Sequence, residues 1–192
     1  DSEQKQWIDF LLGTSHLHGS DMDENGFVYF RAVGNSGQRT FIAYNPATKQ
    51  KIDYDGLDFY TGYLINPSVV TLKDQTNYPG KTVVFGASSE GIALFNLGKQ
   101  QAQFIKEPLP HESFSMRTIH GGYRDEILVS SMASTKFVIY DAAQKKVKKE
   151  LEMSQKEGIN AIDGKYYVGS YGDNASLIEI DPDNWATAKK AD

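Results

Sequence analysis

The histidines and one arginine of this sequence are its clearest candidates for metal binding or catalysis. His16 and His18 stand two residues apart, so on a strand they would point to the same side. That spacing can chelate a metal ion, with His111 as a third ligand. His-x-His is a weak pattern by itself, however, and the pair is explained as well by polar residues at the entrance of a strand. We therefore expect no metal and no cofactor, with His16 and His18 as weak metal candidates.

Tyrosines, amides and carboxylates form a second candidate set. Aromatic faces stack on a sugar or a peptide, while polar tips fix the orientation of the ligand. The residues predicted to bind a ligand in this way are Tyr60, Tyr63, Asn66, Tyr171, Asp173 and Asn174. Packing between structural units is the alternative explanation for each tyrosine.

A catalytic interpretation combines the two sets. Cleavage of an acidic polysaccharide by β-elimination needs a cation to neutralise the uronate carboxylate and a base to abstract the α-proton. Arg39 could supply the cation. The candidate bases are His16, His18, His111, Tyr63 and Tyr171. No spacing in the sequence singles out this arrangement, so enzymatic activity stays undecided at this point.

The elements that must position these residues recur four times along the chain. The first β-rich segments of the four copies begin at Phe27, Thr82, Glu126 and Tyr166. The second β-rich segments contain the equivalent residues Tyr44, Phe95, Tyr140 and Ile180. These positions recur at steps of 51, 45 and 40 residues, which is typical of propeller blades or a related repeat array.

Each copy divides into four strands, A to D. In the fourth copy the strands are predicted at 158–162, 166–170, 176–180 and 185–191, and Asp163-Gly164 between the first two indicates a tight hairpin. The other outermost D strands are predicted at 50–54, 101–106 and 147–151. No long segment has the apolar period of a helix. The sequence thus predicts an all-β fold, a β-propeller with four antiparallel four-stranded blades.

The predicted organisation is a single propeller domain or segment. Its parts are a lead-in strand at 1–13 and blades at 14–55, 56–107, 108–151 and 152–192. Four blades can close a small ring, with a strand from 6–12 added to the last blade, or they can be a segment of a larger propeller. The abrupt ends of the chain favour a segment, or a ring completed by another chain.

The fourth copy resembles a known repeat. The residues from Tyr166 to Asn184, YYVGSYGDNASLIEIDPDN, are similar to the YVTN-type repeat of the quinoprotein-like β-propeller superfamily. The third copy is similar but looser, and the first two resemble the repeat mainly in the C strand and its following turn. The resemblance implies a propeller of a mostly bacterial, often exported superfamily, many of whose members have no known enzymatic activity.

The amino-acid composition limits which classes of partner and site this protein is expected to have. The chain has 192 residues, 40% of them hydrophobic, and a net charge of −5, so nothing favours a nucleic-acid partner. The densest basic run, 145–149, reads as a solvated edge strand. No apolar stretch approaches the roughly 18 residues of a membrane span. The absence of cysteine excludes disulfides and thiolate metal sites.

Propeller topology places the D-to-A and B-to-C loops on one face, at the mouth of the central channel. The candidate site residues fall on that face, whereas His120 is predicted in an A-to-B turn on the opposite one. Asp21 and Asp23 imitate the start of a calcium loop, but the later carboxylates are absent and a hairpin turn explains them better.

We therefore predict a ligand-binding or scaffolding propeller module of an exported, periplasmic or secreted protein, with a glycan or protein partner at the channel mouth. Further blades would come from the parent chain or another subunit. The alternative is a carbohydrate-active propeller enzyme such as a uronate polysaccharide lyase, with a His or Tyr base and Arg39.

Overall fold

The structure is a computed structural model, and it describes residues 14–34, 39–54, 67–88, 91–105, 116–131, 135–153, 156–170 and 175–191. Within these ranges the chain forms sixteen β-strands and no helix. The strands pair into four antiparallel four-stranded sheets, called blades 1 to 4 below. The predicted all-β fold with four antiparallel four-stranded units is therefore confirmed.

In each blade the strands follow one another in chain order from the innermost to the outermost. Blade 1 consists of β1 (Thr14–Met22), β2 (Val28–Gly34), β3 (Arg39–Asn45) and β4 (Gln50–Tyr54). Blade 2 consists of β5 (Ser68–Val70), β6 (Thr82–Ser88), β7 (Gly91–Asn96) and β8 (Gln101–Ile105). Blade 3 consists of β9 (Met116–Gly121), β10 (Glu126–Ser131), β11 (Lys136–Asp141) and β12 (Lys146–Glu152). Blade 4 consists of β13 (Lys156–Ile162), β14 (Lys165–Ser170), β15 (Leu177–Ile180) and β16 (Thr187–Ala191).

The same side-chain turn follows the third strand of every blade. An Asn or Asp side chain at that point accepts a hydrogen bond from a backbone amide two or three residues later, which mimics a backbone turn. The four residues are Asn45, Asn96, Asp141 and Asp181. Because each copy carries this turn residue at the end of its second β-rich segment, the repeat can be recognised in the sequence at that point.

Left-handed backbone positions complete these turns. Lys49, Gln100 and Lys145 have φ of 59°, 52° and 53°, and each directly precedes an outermost strand. Trp185 has the same conformation, with φ of 62°, so β16 begins at Thr187 and not at residue 185 as predicted. Asp163 and Gly164 both have positive φ, 48° and 77°, as a type I′ hairpin requires, and the predicted tight turn is confirmed.

Side chains of the middle strands alternate between the two faces of a blade, because successive residues of a strand point to opposite sides. Val83 packs against blade 1, whereas its neighbour Val84 packs against blade 3. In blade 3, Val129 contacts the cluster shared with blade 2 and Leu128 the cluster shared with blade 4. Apolar clusters thus fill the spaces between consecutive blades and hold them together.

Outer strands have the opposite character. All six residues of β10 are buried, whereas five of the seven residues of β12 are exposed and β16 is exposed throughout. The lysine-rich run at 145–149 therefore lies at the rim of blade 3, as the sequence indicated. Lys148 differs from its neighbours, since its Nζ reaches inward to the buried carboxylate of Glu126 at 2.7 Å.

That carboxylate belongs to a buried polar cluster that joins blades 3 and 4. The hydroxyl of Tyr166 donates to Glu126 Oε2 at 3.0 Å and accepts a hydrogen bond from the Tyr123 amide at 2.9 Å. The rings of Tyr123 and Tyr166 stack with centroids 5.2 Å apart. Each buried polar group of this cluster has a partner, so burying it costs little.

The inner strands are neighbours in space. Contacts join β1 to β5, β5 to β9, and β9 to β13, in the order of the blades. Gly121, the last residue of β9, allows β9 to approach β5 closely, because a Cβ atom at this position would overlap the Val70 side chain of β5. The inner edges of the four blades therefore line a common interior.

Candidate ligand-binding site

A cavity of about 300 Å³ lies where the inner strands meet, within the size range of small-ligand sites. Residues from all four inner strands line it. Its polar wall residues are Asp21 of β1, Ser68 of β5, Thr118 and His120 of β9, and Glu157 and Asn160 of β13. Ile119 and Ile159 add small apolar surfaces. Regular strands supply most of this wall, so its shape is largely fixed before any ligand arrives.

Hydrogen bonds across the blades hold one side of the cavity in place. Asp21 Oδ2 accepts hydrogen bonds from the Val69 amide at 2.8 Å and from the Ser68 hydroxyl at 3.4 Å. The Ser68 hydroxyl oxygen accepts one from the Gly121 amide at 3.1 Å. These bonds connect β1 to β5 and β5 to β9, so one carboxylate and one hydroxyl tie three blades together.

His120 faces the same cavity from β9. Its Nδ1 lies 2.6 Å from the carbonyl oxygen of Gly121, so the ring is protonated at Nδ1 and donates to this carbonyl. In this tautomer the other ring nitrogen is a hydrogen-bond acceptor. The sequence predicted His120 in a turn on the opposite face. The turn was wrong, because β9 extends to Gly121 and includes His120.

Two acidic residues belong to the wall of the cavity. Asp21 and Glu157 are carboxylates, and the described part of its wall contains no lysine or arginine. Lys156 precedes Glu157 but is buried outside this wall, and burial together with the charge of Lys189 lowers its pKa.

Most of the site residues predicted from the sequence lie outside the described ranges. These residues are Tyr60, Tyr63, Asn66, His111, Tyr171, Asp173 and Asn174. The backbones of His16 and His18 lie in β1, opposite Val33 and Arg31 of β2, and Arg39 opens β3. Their grouping at one channel mouth stays a prediction.

The two aspartates that imitate a calcium loop serve the protein itself. Asp23 Oδ1 accepts hydrogen bonds from the amides of Asn25 and Phe27, both at 2.9 Å, and its Oδ2 accepts one from the Tyr29 hydroxyl at 2.8 Å. Asp21 is engaged with β5 as described above. This agrees with the hairpin interpretation. The described residues contain no group of three His, Asp or Glu side chains placed to hold a metal ion.

A second cavity, of about 290 Å³, lies between blades 2 and 3. Much of its polar lining is already engaged within the protein. Asn96 bonds the carbonyls of Pro79 and Lys81, and the Nζ of Lys99 bonds those of Thr76 and Asn77. With fewer groups available to a ligand, this cavity is the weaker candidate.

The sequence held a signal for the inner cavity that was not used. In β9 the polar residues Thr118 and His120 alternate with the buried Ile119, and in β13 Asn160 follows the buried Ile159. Polar residues at alternating positions of innermost strands are expected to face the channel. The site residues predicted from the sequence lie mostly in loops and include none from β9 or β13.

Comparison with solved structures decides the architecture. The chain is similar to a catalytically inactive virginiamycin B lyase from Staphylococcus aureus in complex with quinupristin, with a TM-score of 0.71 and 13% sequence identity over 97% of this chain. It is also similar to a structure of the nidogen/laminin complex, with a TM-score of 0.66 and 10% identity over 94% of this chain. These are β-propeller proteins.

The chain has a β-propeller fold. This propeller spans 59% and 65% of the length of the two matched chains. An extracellular domain of a hybrid two-component system from B. thetaiotaomicron is similar as well, with a TM-score of 0.59 and 15% identity over 94% of this chain and 25% of that one. At these identities the likeness establishes the fold alone.

No family model and no curated protein matches the sequence of this propeller. Among the described residues, none forms a helix of the length and apolarity needed to cross a bilayer.

Proposed function

We propose that this propeller is a ligand-binding module of an extracytoplasmic protein that recognises a glycan or a protein partner at its channel. One observation carries the proposal: the polar cavity to which all four inner strands contribute. Its volume suits a sugar unit or a polar side chain, and Thr118, His120 and Asn160 offer hydrogen-bonding groups to hold it.

The extracytoplasmic setting has its own support. A similar structure is an extracellular domain, and the matched nidogen/laminin structure is a protein complex. The resemblance of the fourth copy to YVTN-type repeats points the same way, as that superfamily is often exported. The aromatic and amide residues predicted at the mouth, such as Tyr60 and Tyr171, would extend the contact beyond the cavity.

Further blades from the parent chain or another subunit form part of the proposal. Blade 3 has neighbours on both faces and its β10 is fully buried, whereas the face of blade 4 that points away from blade 3 leaves Ile162 51% and Leu177 38% exposed. The matched propellers are longer than this chain. A further sheet on this face would cover both side chains. Light scattering of the purified chain tests for self-association through it.

The test of ligand binding starts from a screen. A fluorescently labelled chain is applied to a printed glycan array, and the glycans that bind are measured by titration calorimetry against the native chain, Asn160→Ala and His120→Ala. Gln50→Ala, which removes an exposed side chain from the outermost strand of blade 1, is the matched control. We expect the two cavity variants to weaken binding by about tenfold or more and the control to leave it unchanged. Equal affinity of the native chain, the two cavity variants and the control would show that the glycan does not bind in this cavity.

A uronate polysaccharide lyase is the second candidate. The observation in its favour is His120, whose Nδ1 bond to the Gly121 carbonyl leaves the other ring nitrogen available as a general base. The predicted bases His16, His18 and His111 and the predicted cation Arg39 belong to the same hypothesis. Incubation with hexagalacturonate, followed by absorbance of the unsaturated product, tests it. Activity that is lost in both His120→Ala and the His16→Ala, His18→Ala double variant would support it.

A further inference from the structure

We propose that Asn160 is a docking residue for a further sheet of the same polypeptide, and that its side-chain oxygen accepts a hydrogen bond from a main-chain amide of that sheet's innermost strand. The inference rests on the further blades of the proposed function and names the residue that binds them. It starts from a position that recurs in the innermost strand of each blade.

Strand pairing identifies equivalent positions in the four innermost strands. The equivalent residues of the third strands are Tyr44, Phe95, Tyr140 and Ile180. Through the second strands they pair with Met22, Val69, Gly121 and Ala161 of the innermost strands. The residues directly before these are Asp21, Ser68, His120 and Asn160. All four of them line the inner cavity.

In blades 1 and 2 the side chain at this position bonds the innermost strand of the next blade. Asp21 Oδ2 accepts a hydrogen bond from the Val69 amide at 2.8 Å. The Ser68 hydroxyl oxygen accepts one from the Gly121 amide at 3.1 Å. The two donors, Val69 and Gly121, occupy equivalent positions, so the same bond occurs twice. A side-chain acceptor at this position thus connects a blade to the blade that follows it.

Blade 3 is connected to blade 4 by a different side chain. His120 lies at the equivalent position, but its Nδ1 donates to the Gly121 carbonyl of its own strand. The Ser130 hydroxyl of β10 instead donates to the Lys156 carbonyl of β13 at 2.5 Å. Blade 4 again has a side chain of the first kind, because Asn160 carries a carbonyl oxygen that accepts hydrogen bonds.

Asn160 differs from its equivalents in its exposure. Ile159 and Ala161, on either side of it, pack into the apolar cluster shared with blade 3. Asn160 therefore points to the face of blade 4 that is directed away from blade 3. Ser68 is buried and Asp21 is half-buried against the next blade, whereas Asn160 is exposed. Its acceptor is thus accessible to a partner from outside the four blades.

The apolar side chains around Asn160 suit a covering sheet. Leu177 is the equivalent of Ile92 in blade 2 and of Phe137 in blade 3, since all three pair with equivalent residues of the second strand. Ile92 and Phe137 are buried in the clusters shared with the next blade. Leu177 and Ile162 are exposed on blade 4, so the same kind of contact is still to be made there.

One position of this face carries a charge. Glu179 lies where blades 2 and 3 have Leu94 and Ile139, which pack against the next blade. The Tyr167 hydroxyl donates to Glu179 at 2.9 Å, and the Lys190 ammonium lies 3.1 Å from the same carboxylate. A covering sheet therefore does not leave this carboxylate as an unpaired charge.

Chain order and burial favour a sheet of the same polypeptide over a second copy of the chain. The two bonds described above join each blade to the blade that follows it in the sequence. A second copy would offer the face of its blade 1 that points away from blade 2. Ile42 and Tyr44 lie on that face, because Ala43 between them packs against blade 2. They are only 2% and 5% exposed, so that face is already covered.

Docking at Asn160 is compatible with the proposed ligand site. An asparagine side chain has one acceptor oxygen and one NH2 group. The oxygen can bind the further sheet while the NH2 group stays available to a ligand in the cavity. The innermost strand of the further sheet would then add to the cavity wall beside β13.

The test begins with the gene, whose reading frame should continue beyond Asp192 and encode a further copy of the four-stranded repeat. The full-length protein is then compared with this 192-residue chain. Asn160→Ala removes the acceptor, and Asn160→Ser restores one of the kind that Ser68 supplies in blade 2. In the full-length protein Asn160→Ala should melt about 2–4 °C below Asn160→Ser. In the 192-residue chain the two variants should melt within about 1 °C of each other, because the donor is missing.

Several results would overturn the inference. A stop codon directly after Asp192 is the first. Equal melting temperatures of Asn160→Ala and Asn160→Ser in the full-length protein are the second. A difference of the same size in both proteins would mean that Asn160 acts within blade 4. Sedimentation of the 192-residue chain as a dimer that Asn160→Ala dissociates would assign the face to a second copy.

The inference and the glycan proposal fail separately. Glycan binding that depends on His120, together with equal melting temperatures, refutes the docking role of Asn160 and leaves the ligand site standing. Absence of binding to every glycan of the array, together with the expected difference in melting temperature, refutes the glycan proposal and leaves the further sheet standing.

Discussion

The carboxylate of Asp21 accepts a hydrogen bond from the Val69 amide at 2.8 Å, although the two residues are 48 positions apart in the sequence. This bond joins the innermost strand of blade 1 to that of blade 2. The apolar clusters between the blades include inner-strand residues such as Val70, Ile119 and Ile159, and polar bonds of this kind add to them in fixing the inner edges on which the cavity depends.

Replacing Asp21 by Ala should therefore destabilise the protein. The Val69 amide and the Ser68 hydroxyl would lose an acceptor in a partly buried place, which costs about 1–3 kcal/mol. Asp53→Ala is the control, because Asp53 lies on the outer strand β4 in an exposed pair with Lys51, and its loss should cost no more than about 0.5 kcal/mol. Urea unfolding measures both. Equal costs would show that the Asp21 bonds contribute nothing.

Two buried tyrosines should respond differently to loss of the hydroxyl. Tyr166 and Tyr140 are both 0% exposed. The Tyr166 hydroxyl bonds Glu126 and Tyr123, whereas the Tyr140 hydroxyl has no hydrogen-bond partner within the part of the chain that the structure describes. Tyr166→Phe should cost about 1–3 kcal/mol, and Tyr140→Phe should be neutral or slightly stabilising. Thermal and urea unfolding of the two variants measure these changes in stability. A large loss of stability in Tyr140→Phe would contradict the packing described for the apolar cluster between blades 2 and 3.

Stability should fall at alkaline pH. Burial raises the pKa of Tyr140 to about 12 and also raises the pKa of Tyr166 above its usual value of 10.0. Since these values exceed those of the unfolded chain, the folded state holds its phenolic protons more tightly. Their contribution is complete below about pH 10 and is lost progressively above it.

The unfolding free energy, measured by urea at increasing pH, should show this decline. In Tyr140→Phe the decline between about pH 10 and pH 12 should be shallower than in the native chain. An unchanged slope would mean that Tyr140 ionises equally in the folded and unfolded states.

Gly122 should not tolerate a side chain. A Cβ atom there would lie 2.5 Å from the Tyr166 hydroxyl and 2.8 Å from Glu126 Cβ, inside the buried cluster between blades 3 and 4. Gly122→Ala should cost about 1–3 kcal/mol through this overlap. Gly169→Ala is the matched control, because a Cβ there meets nothing within 4 Å. Comparable melting temperatures for the two variants would contradict the packing described here.

The strand pattern could be predicted from the sequence because it depends on local chemistry. Asn45, Asn96, Asp141 and Asp181 close the same turn with their own side chains, so each copy carries its turn signal within a few residues. The positive φ of Trp185 has no such signal in the sequence. The start of β16 was therefore predicted two residues too early.

The cavity could not be predicted in the same way. Its wall brings together Asp21, Ser68, His120 and Glu157, which lie on four strands far apart in the sequence, and their meeting depends on how the blades pack. His120 was assigned to a turn because Gly121 and Gly122 follow it. In the structure the close approach of β9 to β5 uses that first glycine within the strand.

The central claim is that the inner strands of successive blades stand side by side around a shared cavity. Nuclear Overhauser effects test it most directly, on two pairs: the Val69 amide with the β-protons of Asp21, and the Gly121 amide with the β-protons of Ser68. Both cross-peaks are expected in the native chain. Their absence in an otherwise assigned spectrum would mean that blades 1, 2 and 3 do not meet at their inner edges, and it would contradict the cavity and the functions proposed for it.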